Sequence, residues 1–300
     1  MNDLIELKEK FGLPGVLNFE MGSNDFIFLT VSNQYVEARI CLYGAHITSF
    51  IPKNRTDLLW MSSKSDFKVG NPIRGGIPVC FPWFGPHKTE AEKPQHGFAR
   101  LMKWSLTETK AMSNGETLIR LQLCSSEDTK CYWPHEFIAH MVITVGKTLN
   151  ATLKVTNTSS GLFEYTCALH TYYKISDIEA ITIDGLGGTN YYKHGEPGDF
   201  KQEASLLTIN QAITSHYHDT QAECIISDGN TGRKIRVGKT GSMITTVWNP
   251  GKEVCAKISD MPDDGYKTFV CVEAVNSFND AINLKPGESH ETSVIIGLEE

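Results

Sequence analysis

The chain is short of the features that would declare its class at once. Its 300 residues include eight cysteines, yet none stands in a CxxC pair or any other tight spacing. A disulfide framework or a structural zinc site is therefore not expected. The thiols, several inside apolar runs such as YTCAL and TFVCVEAV, read as reduced and buried. No stretch approaches the ~20 apolar residues that span a bilayer, so no membrane association is expected. The opening MNDLIELKEKFGLPG lacks the basic and apolar regions of a secretory signal, and a cytoplasmic location is expected. Positive charge is scarce: 28 Lys and Arg against 35 Asp and Glu, a net charge of −7. That balance argues against nucleic acid as a partner, and any anionic ligand must be gripped by a local cluster of cations. There is no glycine-rich phosphate loop, no serine-nucleophile motif, no internal repeat and no linker. A single domain over residues 1–300 is the expectation, and nothing indicates a protein partner.

Helical periodicity is also rare. Leu4, Ile5, Leu7 and Phe11 recur at helical spacing, and Gly12–Pro14 end the segment. After this short helix the period changes to two. FIFLTVSN, YVEARICLYGAHITSF, TLIRLQLC, FIAHMVITVG, TLNATLKVTN, FEYTCALHTYYKI, ECIISDG, MITTVWN, TFVCVEAV and TSVIIGLE read as strands, separated by turn signals such as DGN and NPG. In TLNATLKVTN, Leu149, Ala151, Leu153 and Val155 alternate with polar partners, which predicts one buried and one wet face. A dozen or more short strands with almost no helix predict an all-β fold, a large antiparallel sandwich.

The least strand-like stretch runs from Arg74 to Arg100, RGGIPVCFPWFGPHKTEAEKPQHGFAR. Its Pro and Gly content predicts a long ordered loop, the kind that often binds ligands. Phe81, Trp83 and Phe84 give it an apolar wall, and Arg74 and Arg100 bracket it with positive charge. Two guanidinium groups that converge suit a phosphate or carboxylate. Ordinary surface ion pairs are the competing reading for the same two residues. Within PQHGFAR, Gln95, His96 and Arg100 fall within six positions, beside a glycine and an aromatic.

His170 lies in a strand-forming run, on the face shared by Thr166, Ala168 and Tyr172. It is either a hydrogen-bonded core histidine or a general acid or base. Glu273 lies among Phe269, Val270, Cys271, Val272 and Ala274, where an unpaired carboxylate is expensive to bury. It reads either as half of a buried salt bridge or as a base with a raised pKa. His216 and His218 share one strand face, but no further ligands accompany them, so no metal is expected there.

Together these segments resemble the aldose 1-epimerase superfamily, and within it the hexose-6-phosphate branch. RGGIPVCFPWFGP, QHGFAR followed by Trp104, LHTYYKI, VWNPG and FVCVEAVN occur in that family's order, from residue 74 to about 276. The resemblance implies a β-supersandwich of the galactose mutarotase-like type that works without a cofactor or metal. It implies that His170 is the general acid and Glu273 the general base. Arg74, Gln95 and Arg100 would be substrate contacts, with the arginines on the phosphate and His96 as an added sugar contact. The implied reaction is interconversion of the α and β anomers of a hexose 6-phosphate, glucose 6-phosphate first. A sugar-binding protein without catalysis and an epimerase for unphosphorylated aldoses are the alternatives. One departure stands out: where the family carries an Asp-Arg pair before a Tyr, this chain has Thr214 and Ser215.

Overall fold

The computed structural model of the protein describes residues 2–299. The amphipathic N-terminal segment forms a helix over Asn2–Phe11, and nearly everything after it is strand. All strand pairs are antiparallel. Two eight-stranded sheets carry the architecture, beside a four-stranded sheet from residues 17–52 and a two-stranded ribbon.

The first large sheet runs in the order Ile181–Asp184, Cys224–Asp228, Arg233–Thr240, Ser289–Leu298, Leu149–Asn157, Phe137–Val145, Thr117–Cys124 and Ser105–Ala111. Its strands show the alternation read from the sequence. Phe137–Val145 and Leu149–Asn157 are buried at every second residue and half-buried between, so one face packs and the other meets solvent.

The second large sheet has a different character. Its path is Phe200–Lys201, Asn190–Lys193, Ile213–Tyr217, Ile244–Asn249, Phe269–Asn276, Cys167–Leu169 and Val79–Cys80, with Tyr172–Lys174 also paired to Phe269–Asn276. Phe269–Asn276 is buried at all eight positions, because both faces are covered. Val270 and Val272 point into a core shared with the first sheet and the four-stranded sheet, together with Leu169, Tyr217 and Val247. On the opposite face Phe269 and Cys271 join a small cluster with Trp60, Tyr172 and Met261, and Val275 joins another with Cys80, Ala168 and Ile244. Glu273 falls between those two apolar patches. The alternation of the strand thus places one carboxylate at the gap in an otherwise greasy face.

Three expectations need correction. FEYTCALHTYYKI is not one strand but three, Phe163–Tyr165, Cys167–Leu169 and Tyr172–Lys174, and His170 sits in the second break. NPG is not only a turn: Gly251 begins a short helix, Gly251–Cys255. Of the eight thiols, six are buried, but Cys124 and Cys131 are exposed. Cys124 ends an alternating strand on its outward phase, and Cys131 lies just past the short helix Glu127–Lys130.

The alternation makes a direct prediction. Leu153→Ala removes a side chain that is only 1% exposed and should lower stability by about 2–5 kcal/mol. Lys154→Ala, one position on, loses only the partly exposed ion pair with Glu291 and should change stability by less than about 1 kcal/mol. Denaturant midpoints measure both, and similar losses for the two variants would contradict the assigned faces.

Candidate active site

The break after Leu169 is held by the Arg74–Arg100 loop. The His170 amide donates to the Pro78 carbonyl at 3.0 Å, and the Tyr172 amide donates to the Gly76 carbonyl at 2.9 Å. The loop therefore runs as a partner to the interrupted strand and brings its own side chains over it. His170 is buried, and its ring is located by packing. Tyr172 stacks on it at 5.0 Å between centroids, while the His96 and Trp248 rings meet it edge-on at 5.5 and 5.6 Å. Its Nε2 faces Glu273 Oε1 at 3.5 Å.

That pair has little else around it. Neither carboxylate oxygen of Glu273 and not the Nδ1 of His170 has a hydrogen-bond partner among the described residues. Burial pushes the Glu273 carboxyl well above its ordinary range. Burial, then the positive charges of Arg100 and Arg74, push His170 down to about 3. The sequence reading placed a proton on His170 and a charge on Glu273. Both shifts oppose that assignment in the free protein, since an ion pair in this dry setting is disfavoured.

The arginines differ from one another. Arg74 Nε reaches both oxygens of Asp260, at 3.1 and 3.2 Å, and its Nη1 donates to the Tyr172 hydroxyl at 3.0 Å. Burial opposes its charge, but Tyr172 and Asp260 outweigh burial and hold it firmly protonated. Arg100 is 9% exposed and makes no ion pair among the described residues, Asp260 acting on it only at longer range. Its Nη2 donates to the Gln95 carbonyl at 2.7 Å, and its Nε has no partner among the described residues. Burial, and Arg74 nearby, pull its guanidinium below the usual arginine range. A buried cation without an anion is a costly arrangement that a bound anion would relieve.

PQHGFAR resolves into separate jobs. His96 takes φ +63°, and its Nδ1 accepts from the Gly85 amide at 3.0 Å. That bond assigns the ring proton to Nε2, leaving a neutral donor beside His170. Gly97 has φ +72°, and a Cβ there would strike the Phe81 carbonyl. Phe98 is fully buried among Phe81, Trp83 and Phe137. Gln95 is exposed, and its contact with the cluster is through its backbone carbonyl on Arg100. The structure thus gathers His170, Glu273, His96, Arg74 and Arg100, while the Gln95 side chain makes no hydrogen bond with them among the described residues.

A comparison with known proteins now has geometry to rest on. The aldose 1-epimerase family model matches residues 28–297. The chain belongs to the aldose 1-epimerase family. It is 38% identical over 245 residues to an Escherichia coli protein provisionally named glucose-6-phosphate 1-epimerase, covering 82% of this chain and 81% of that one. A Cenchrus ciliaris protein of the same provisional name is 32% identical over 260 residues, covering 84% and 78%. Among solved structures, a Salmonella typhimurium protein provisionally described as a mutarotase superposes with a TM-score of 0.89 at 32% identity, covering 97% of this chain and 96% of that one. A galactose mutarotase-like protein from Clostridium acetobutylicum shares the fold, with a TM-score of 0.77 at 17% identity, covering 95% and 98%.

In this epimerase-family chain several site residues carried no signal of their own. Asp260 lies in the loop between VWNPG and FVCVEAVN, outside every quoted segment, and is recognised by its ion pair with Arg74. Tyr172 and Trp248 sat inside the segments LHTYYKI and VWNPG, but their packing on His170 needed the fold. Thr214 stands directly opposite Trp248, on the site's face, so the departure from the family pattern falls at the site's edge. Donor atoms of His170, Cys271 and Glu273 lie within 4.8 Å of one another, a spacing that would admit a cation after contraction. Burial holds the Cys271 thiol well above its ordinary pKa.

Gly97 offers a test of the loop's role. Gly97→Ala introduces a Cβ at positive φ against the Phe81 carbonyl and should destabilise the protein by about 1–3 kcal/mol. A melting temperature equal to that of the parent would show that the loop does not hold this conformation.

Proposed function

We propose that the protein interconverts the α and β anomers of a hexose 6-phosphate, with glucose 6-phosphate as the first candidate, using His170 and Glu273 as acid and base. The observation that carries this reading is the buried His170–Glu273 pair 3.5 Å apart, with no hydrogen-bond partner for either carboxylate oxygen among the described residues, beside Arg100, whose Nε is likewise unpartnered. Residues 1–300 act as one sugar-binding domain in this account, supported by a core that continues from Leu17 to Ile296. Eight unpaired cysteines favour a reducing, cytoplasmic setting.

The chemistry follows from proton counting. Glu273 takes the proton of the C1 hydroxyl, the C1–O5 bond breaks, and O5 receives a proton from His170. The aldehyde rotates about C1–C2, and O5 closes on its other face with the two groups in reverse roles. The pair must therefore enter with its proton on His170. The neutral and ionised forms of the pair hold the same number of protons, so only the proton's position has to change. Arg100 and Arg74 oppose the imidazolium in the free protein. A phosphate dianion bound to them offsets that charge and favours the working form. In this scheme the phosphate anchors the sugar and also prepares the acid. His96, with its proton on Nε2, donates to a sugar oxygen near the reacting carbon.

Pure α-glucose 6-phosphate followed toward anomeric equilibrium tests the assignment. His170→Ala and Glu273→Gln should each lower kcat by about 10²–10⁴-fold. Arg100→Ala should raise KM for glucose 6-phosphate and also lower kcat, while leaving turnover of free glucose little changed. Full activity in both acid–base variants would refute the roles. Equal effects of Arg100→Ala on the two sugars would refute the phosphate contact.

A further inference from the structure

The face that carries Glu273 does not end there. Strand registers place Thr246 opposite Glu273, His216 opposite Thr246, and Tyr192 opposite His216. Directly opposed residues share a face, so these polar side chains form one row across the second sheet, leading away from His170. His216 is 6% exposed, and its Nδ1 lies 2.8 Å from Thr246 Oγ1, its only side-chain hydrogen-bond partner among the described residues. Burial keeps the ring neutral, and an internal salt bridge plays no part.

Phe278 adds an independent observation. It follows the Glu273 strand almost directly, in the turn Phe278–Asp280. Its backbone is held at φ +52°, a region that a bulky residue rarely adopts, and its side chain is 51% exposed. The turn is fixed: Asp280 accepts from the Met243 amide and from Asn276 Nδ2, both at 2.8 Å. The ring lies 4.9 Å from His216 and 5.4 Å from Tyr192, and Phe84 meets His216 from another side at 6.1 Å. An aromatic that is both strained and wet does little for the core, and such outliers mark sites where the conformation serves a ligand.

We propose that His216 and Phe278, walled by Phe84 and Tyr192, form a subsite for the hydroxyl-bearing edge of the sugar at C2 and C3. His216 hydrogen-bonds a ring hydroxyl, and Phe278 covers the sugar's C–H face. The inference rests on the anomer-exchange reading, and the order of residues supports it. Across the sheet the sequence is His170, Glu273, Thr246, His216. Around the sugar it is O5, C1, C2, C3. With O5 at His170 and the C1 hydroxyl at Glu273, a ring laid along this row carries C2 and C3 toward Thr246 and His216. Two strand spacings of ~4.8 Å separate the Glu273 and His216 backbones. The subsite also lies beside Thr214, two residues from His216 on the same face, so His216 is placed to supply polar contact where Thr214 offers only a short hydroxyl.

The test compares glucose 6-phosphate with its 2-deoxy and 3-deoxy analogues. The parent protein should favour glucose 6-phosphate over the 3-deoxy sugar by ~10-fold or more in kcat/KM. His216→Leu should lose about that factor on glucose 6-phosphate and no longer distinguish the two. Phe278→Ala, at an exposed position where folding is not in question, should raise KM by ~2–10-fold on every sugar. If His216→Leu discriminates as the parent does, or if Phe278→Ala leaves KM unchanged, the subsite is wrong while anomer exchange stands. If the parent exchanges the anomers of none of these sugars, the anomer-exchange reading falls and takes the subsite with it.

Discussion

Everything at the site depends on one unsatisfied carboxyl group. Glu273 is buried to 1% exposure with no hydrogen bond to either oxygen. Left ionised in such a place, it would be among the most expensive groups in the molecule. Burial favours its protonated form, and the strand that bears it is locked on both sides by neighbouring strands. Val270 and Val272 anchor one face in the main core, and Cys271 and Val275 seal the other above and below. The cost of the carboxyl is thus spread over the stability of the whole second sheet.

The surrounding charges are arranged around that neutral pair rather than against it. Asp260 balances Arg74, and Tyr172 ties Arg74 to the ring that stacks on His170. Arg100 is left uncompensated. The result is an arginine outside any ion pair among the described residues, next to a buried His–Glu pair. In the reaction proposed above, a dianionic ligand answers that charge and favours the imidazolium, so substrate charge and acid strength are linked through Coulomb interaction, on top of the larger effect of burial.

Much of this was legible in the chain. Alternation in TLNATLKVTN gave the buried face of the first sheet, and the helix over Asn2–Phe11 followed its apolar spacing. The Pro and Gly content of 74–100 marked the loop that crosses the active face. His170 and Glu273 stood out because a His and a Glu are unusual in strand-forming apolar runs. What stayed hidden is what depends on register. Asp260 meets Arg74 across 186 residues, and nothing local announces it. Strand phase placed His216 and His218 on one face, but only the pairing of Ile213–Tyr217 with Ile244–Asn249 puts His216 in line with Glu273. His218 instead pairs with Asp199 and Asp219. Gln95 stands beside Arg100, and its backbone carbonyl accepts from that guanidinium.

The central claim is that the pair's single proton rests on Glu273 and moves to His170 when a sugar phosphate binds. Nitrogen chemical shifts of the His170 ring, recorded near neutral pH, report this directly. The account predicts a neutral imidazole in the free protein and an imidazolium when a non-reacting hexose 6-phosphate analogue without an anomeric hydroxyl is bound. An imidazolium already present in the free protein, or a ring that stays neutral with the phosphate bound, would contradict it.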